Sequence, residues 1–188
     1  MLAPTGLKDI NAIWDMGNPL RERRIWLIDA LDSWEEMYRN ANTDTAALLL
    51  HRLGYIAMDL NLSDMHLVAG RSNNPDDSNF AQQNLKRWAN SPVAASTMAH
   101  IFSMLQLCYQ HVESGRAAEA SYEITLCLFT GGIVCWAYAT LSSSVGGPGE
   151  MERYLKQVER ASAMLKDMNC WRIASMFGRI LSGFDSRT

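Results

Sequence analysis

Apolar residues recur at helical spacing along most of this chain, and one stretch departs from the pattern by being apolar throughout. In YEITLCLFTGGIVCWAYATL (122–141) the only charged residue is Glu123. A helix that is apolar on every side must be buried, either in a protein core or in a membrane. The run is long enough to span a bilayer, since roughly 18 apolar residues suffice. Thr125, Thr130 and Thr140 dilute its hydrophobicity, and Gly131-Gly132 sits in its middle. Each glycine costs a helix about 1 kcal/mol relative to alanine. No cluster of Lys or Arg flanks the run to set a membrane orientation. The segment therefore reads as a buried core helix from about Ala117 to Leu141. Its adjacent glycines read as a packing notch where a neighbour comes close.

The other segments read as amphipathic helices that cover this rod. Asn18-Pro19 is a cap followed by a first-turn proline. The helix it opens runs to about Tyr38, with Leu27, Leu31, Trp34 and Tyr38 on one stripe. Thr43 or Thr45 can cap a second helix carrying Leu49, Leu53, Ile56 and Leu60. Ser63 is expected to cap a short turn of helix, and Gly70 to end it. RSNNPDDS (71–78) is a loop by composition. Asp77 or Ser78 is expected to cap a helix from Phe80 to Asn90, with Phe80, Ala81, Leu85 and Trp88 on one side. Ser91-Pro92 reads as another cap-and-proline start, for a helix reaching about Glu113 and ended by Gly115. SSSVGGPG (142–149) is the one flexible linker by composition. Two more helices follow, from Glu150 to Met168 and from Trp171 to Phe184. No alternating apolar and polar run bounded by turns is present, so no strand is expected. The fold class is all-α, a roughly seven-helix array packed around one apolar central helix. The 188 residues read as a single helical domain.

Composition narrows the function classes. Hydrophobic residues make up 48% and charged residues 20%, with a net charge of −3. That is globular, and it lacks the basic footprint of a nucleic-acid-binding domain. The start of the chain shows no basic segment followed by an apolar core, so no secretory signal is read there. Cys108, Cys127, Cys135 and Cys170 sit singly in apolar helical patterns and read as free thiols. His51, His66, His100 and His111 show no zinc-ligand spacing. Asp76-Asp77 lacks a second acidic cluster that would make it a metal site, and capping is the favoured role. There is no phosphate-binding glycine loop and no GxSxG elbow. Catalytic, cofactor-binding and metal-ligating residues are accordingly assigned as none, and the chain is read as not an enzyme.

Four segments, taken in order, carry a resemblance. They are LLLHRLGYIAMDLNLSDMHLVAGR (48–71), LKRWANSPVAASTMAHIFSML (85–105), LFTGGIVCWAYATL (128–141) and CWRIASMFGRILSGF (170–184). Together they resemble the regulatory region of fungal zinc-finger transcription factors, the fungal-specific transcription factor domain. The likeness is closest to those with fingers of the two-Cys, two-His type. Order and spacing agree over about three quarters of the chain. The resemblance implies an all-α regulatory module in the nucleus, involved in regulation of transcription, and the C-terminal part of a larger regulatory domain. It implies contacts with the transcription machinery or regulatory proteins, and leaves room for a small-molecule effector. No finger cysteines or histidines can be carried over, so DNA would be reached only indirectly, through a zinc finger absent from this chain. The family's zinc belongs to that finger, and no cofactor is implied here. Two other readings compete. One is a helical small-molecule carrier or enzyme with an apolar pocket near Gly131-Gly132, and the other a protein with a single membrane span from Ile124 to Leu141. A filled core favours the interaction module. The carrier needs an enclosed cavity of about 300 Å³ or more. Incomplete packing is expected to show first on the N-terminal helix, at Trp26, Leu27 and Trp34.

Overall fold

The computed structural model describes residues 19–38, 44–71, 74–116, 121–145, 147–168 and 171–185. The described residues form eight α-helices and no strand. They are α1 (Pro19–Tyr38), α2 (Thr45–Asp59), α3 (Leu62–His66), α4 (Pro75–Ala89), α5 (Ala94–His111), α6 (Tyr122–Leu141), α7 (Pro148–Asp167) and α8 (Arg172–Asp185). The chain divides into two compact units, Met1–Thr43 and Asp44–Thr188. In the first, α1 sets Trp34 beside Tyr38, the rings tilted by 33° with centroids 5.0 Å apart. The spacing of one helical turn brings those rings together. Ile25, Trp26, Leu27 and Met37 of the same helix are exposed.

In the second unit α6 is the axis. It packs against α2, α3, α4, α5, α7 and α8, which is every other helix of that unit. Ile124, Thr125 and every residue from Cys127 to Ala139 are buried. Contact on all sides explains why the sequence of this helix has no polar face. Among the described residues it is also the one helix apolar and long enough to cross a membrane, with mean hydropathy 1.7. Within this fold 78% of its most apolar window is buried by protein. The helix starts at Tyr122, and residues 117–120, where its beginning was expected, lie outside the described residues.

The surrounding helices obey the amphipathic pattern. On α8, Ala174, Phe177, Leu181 and Phe184 are buried, and on α7 Tyr154, Val158, Ala161 and Leu165. Aromatic rings knit the layers. Phe129 of α6 stacks on Phe177 of α8 at 3.9 Å, and Trp136 on Phe184 at 4.4 Å. The α7–α8 contact is close because Gly178 lies against α7. A side chain there would meet the Ser162 carbonyl oxygen at 2.9 Å. Ser162, buried, donates its hydroxyl to the Gly178 carbonyl at 2.8 Å.

Helix ends differ from expectation in five places. Asn61, not Ser63, caps α3, its side chain accepting the Ser63 N–H at 3.0 Å. Asn74, not Asp77 or Ser78, caps α4 and accepts the Asp76 N–H at 3.1 Å. Helix α4 therefore starts at Pro75, five residues before Phe80, and the second half of the polar stretch is helical. Asp76 and Asp77 fall in its first turn, where the helix dipole favours negative charge. Asp44 precedes α2 and makes no side-chain cap bond; Thr45 is the first helical residue, and Thr43 lies outside the described residues. Ser91 to Val93 form a turn, and α5 begins only at Ala94. Gly70 and Gly115 do end their helices, with φ of +95° and +81°, a region that glycine enters without strain. Pro148 opens α7, two residues ahead of the expected start at Glu150.

Candidate functional site

The glycine notch is occupied by the protein itself. A Cβ on Gly131 would lie 2.6 Å from Cδ2 of Leu105, on α5. A Cβ on Gly132 would lie 2.6 Å from Cδ1 of Leu181, on α8. Both leucines are fully buried. The two glycines thus face opposite partners, and each makes room for one leucine side chain. The sequence reading of a packing notch describes what is there.

A different concavity opens at the surface, where the C-terminal ends of α4 and α6 meet. It is an open cleft of about 630 Å³ lined by Gln82, Gln83, Lys86 and Asn90 on one wall and Thr140, Leu141, Ser142 and Ser143 on the other. Asn90 holds the walls together. Its Nδ2 donates to the Lys86 carbonyl at 2.7 Å and to the Leu141 carbonyl at 2.9 Å. Its Oδ1 accepts the Ser143 N–H at 2.7 Å and the Ser143 hydroxyl. Helix C-termini leave carbonyls without intrahelical partners. One amide side chain here satisfies a carbonyl from each of two helices and pins the following turn, using its full donor and acceptor capacity. A second network continues from that turn. Ser144 Oγ lies 2.7 Å from Ser142 Oγ and 3.3 Å from the Tyr138 hydroxyl.

The chemistry available in the cleft is recognition. Besides the Asn90 amide it offers those of Gln82 and Gln83, one ammonium group and hydroxyls. The serine hydroxyls bond to an amide, a phenol and each other, and no histidine or carboxylate lines the cleft to act as their base. The sequence missed this site because its decisive contact joins residues 53 positions apart. Asn90 looked like a helix end, and Ser142 to Ser144 looked like linker. Asn90→Ala is expected to cost about 1–2 kcal/mol, since exposed hydrogen bonds contribute about 0.5–1.5 kcal/mol each. Hydrogen exchange of the Ser143 amide checks the geometry directly. It should lose its protection in the variant while the α6 amides keep theirs.

The titratable residues singled out in the sequence are placed as follows. The His51 ring meets Tyr55 edge-on with centroids 5.1 Å apart, and the His100 ring stacks on Tyr55 at 4.4 Å. His66 lies 6.0 Å from the Phe129 ring, and His111 is buried. Cys108, Cys127 and Cys135 are buried free thiols, and Cys170 lies outside the described residues. Contact with the Cys127 thiol and then burial push the Cys108 thiol well above its ordinary range. Burial pushes Cys135 up to about 12. Such thiols stay protonated and are poor nucleophiles. Asp64 is buried, and loss of solvent raises its carboxyl; a hydrogen bond from Asn84 at 3.1 Å works in the other direction. Among the described residues no three His, Cys, Asp or Glu side chains converge as metal ligands would. On the α5–α7 seam, Arg160 lies over the Tyr109 ring at 3.9 Å and pairs with Glu113. Tyr109 also donates its hydroxyl to Gln157 Oε1 at 3.2 Å. Burial raises its phenol. These contacts fasten helices together. Comparison of the chain with protein-family models, with curated proteins and with solved structures returns no match.

Proposed function

We propose that this chain is a non-catalytic helical module that regulates transcription in the nucleus through contacts with other proteins. The regulatory role is the one implied by the resemblance to the fungal-specific transcription factor domain, and the packing supports the mode of action. The observation that carries the mode is the filled notch. Leu105 and Leu181 occupy the place where a carrier or enzyme built around Gly131-Gly132 would keep its pocket. What the molecule offers to partners is its surface, with a polar cleft at the α4 and α6 ends and exposed side chains along its helices. DNA would be reached through a separate reader.

The test is a tethering assay. The full chain is fused to an unrelated DNA-binding domain and placed upstream of a reporter in a fungal host. The expected result is a reproducible change in reporter output relative to the DNA-binding domain alone, in either direction. An output equal to that of the DNA-binding domain alone, from a fusion shown to be folded and nuclear, overturns the proposal.

A further inference from the structure

Helix α8 buries one face and leaves the other unusual in charge. Ala174, Phe177, Leu181 and Phe184 point into the core. On the opposite side Arg172, Met176 and Arg179 recur at i, i+4 and i+7, so they share one stripe. All three are exposed, and Met176 is 43% accessible. At the N-terminal end of this helix an exposed aromatic pair, Trp171 and Tyr122, sits with ring centroids 6.1 Å apart. Lys166 of α7 lies alongside, its side chain packed at Gly178.

The charges on this stripe contrast with those on α7. There Lys156 pairs with Glu152 at 2.9 Å, Arg160 pairs with Glu113, and Arg153 lies over the Phe102 ring at 5.0 Å. Arg172, Arg179 and Lys166 have no ion-pair partner among the described residues. Among the described α8 side chains the exposed ones are Arg172, Ser175, Met176 and Arg179, and none of these is an acid. The chain as a whole carries −3, so this local excess of positive charge runs against the molecule's overall sign.

From this juxtaposition of unneutralised cations and an exposed methionine, we infer that the α8 stripe docks an acidic amphipathic helix of a partner protein. Two positions seven residues apart on a helix are about 10 Å apart along the axis. A partner helix with acidic residues two turns apart meets Arg172 and Arg179 together, and an apolar residue between its acids meets Met176. Methionine is adaptable enough to accept different apolar anchors. The same residue argues against a phosphate backbone as occupant, because phosphates offer nothing apolar to cover it. The inference rests on the protein-contact reading proposed above and adds the chemistry of the partner.

The experiment uses the full chain and a fluorescein-labelled helical peptide with glutamates two turns apart on either side of a Leu-Phe anchor. The same peptide with lysines in place of the glutamates is the control. Fluorescence anisotropy is expected to show saturable binding of the acidic peptide only, weakening as salt rises. The double reversal R172E/R179E is expected to weaken binding by about tenfold or more, since like charges then face each other across the contact. R172K/R179K should retain most of it, and Met176→Ala should weaken it without changing the salt dependence. The replaced side chains are all exposed, so thermal melting of the variants should match the parent. Equal binding of the lysine peptide, indifference to R172E/R179E, no saturable binding, or displacement of the peptide by duplex DNA would each overturn the inference. The tethering assay separates the two claims. A reporter effect with no peptide binding removes the acidic partner alone, and peptide binding with a silent reporter removes the transcriptional role alone.

Discussion

Phe129→Ala is expected to destabilise the protein by about 3–5 kcal/mol, the usual range for removing a buried phenylalanine ring. Phe129 is 2% exposed and stands where α6 meets two other helices. Its ring lies almost parallel to that of Phe177 on α8, with centroids 3.9 Å apart and an interplanar angle of 7°. On another side the His66 imidazole of α3 lies at 6.0 Å. Truncation removes the apolar area of the ring, leaves a cavity, and deletes an aromatic pair that contributes about 0.5–1.5 kcal/mol beyond area burial. For a chain of this size the thermal midpoint should fall by roughly 10 °C. Phe129→Leu keeps most of the volume and loses the stacking, and should cost about 1.5 kcal/mol or less. Denaturant unfolding of the two variants gives the comparison. Equal and small losses would mean that the ring does not bridge α6 and α8 in solution.

The helices themselves were legible because the force that forms them is written locally. Ala174, Phe177, Leu181 and Phe184 face the core for the same reason that they recur every three or four residues. The uniform apolarity of α6 was equally informative, since only a helix covered on every side tolerates it. Ends were harder to place. RSNNPDDS offers several residues able to cap, and the choice falls on Asn74 because Pro75 is suited to the first helical position. The same logic placed the start of α1 at Pro19. At Ser91-Pro92 it gave a start too early. There the Ser91 N–H bonds back to the Trp88 carbonyl at 2.8 Å, so the segment first completes the turn that leaves α4. The cleft was illegible for a different reason. Asn90 and Ser143 lie far apart in the chain, and a polar residue leaving a helix carries no mark of the distant turn it will bind. The sequence reading marked the apolar side of the last helix and passed over the stripe opposite it. That its cations have no ion-pair partner among the described residues, while Lys156 and Arg160 of α7 do, depends on side-chain geometry that spacing alone does not supply.

Gly131→Ala sets two effects against each other, and their magnitudes decide the outcome. Alanine favours the helix by about 1 kcal/mol over glycine. The added methyl, however, would sit 2.6 Å from Leu105 Cδ2 and 2.8 Å from its Cγ. The far end of an exposed leucine would swing away at little cost. Leu105 is fully buried, packed with Ile101, Met104 and Cys108 in the same core, so the branch point and its methyl must move together. Overpacking of this kind costs about 1–3 kcal/mol, and the net expectation is a loss of up to about 2 kcal/mol. Gly132→Ala repeats the situation against Leu181, whose Cδ1 would be 2.6 Å away and whose Cγ would be 3.4 Å away. There the branch point has more room, so the smaller loss is expected at Gly132. Together the two substitutions should cost about the sum of the single losses, because they strain different neighbours on opposite sides of α6. The decisive measurement is a double-mutant cycle of Gly131→Ala with Leu105→Ala. Leu105→Ala alone should cost about 2–5 kcal/mol through the cavity it leaves. Added to Gly131→Ala it gives the new methyl somewhere to go, so the combination should be more stable than additivity predicts by about 1 kcal/mol or more. Strict additivity would mean that Leu105 does not fill the notch, and the space beside Gly131 would again be open to a ligand.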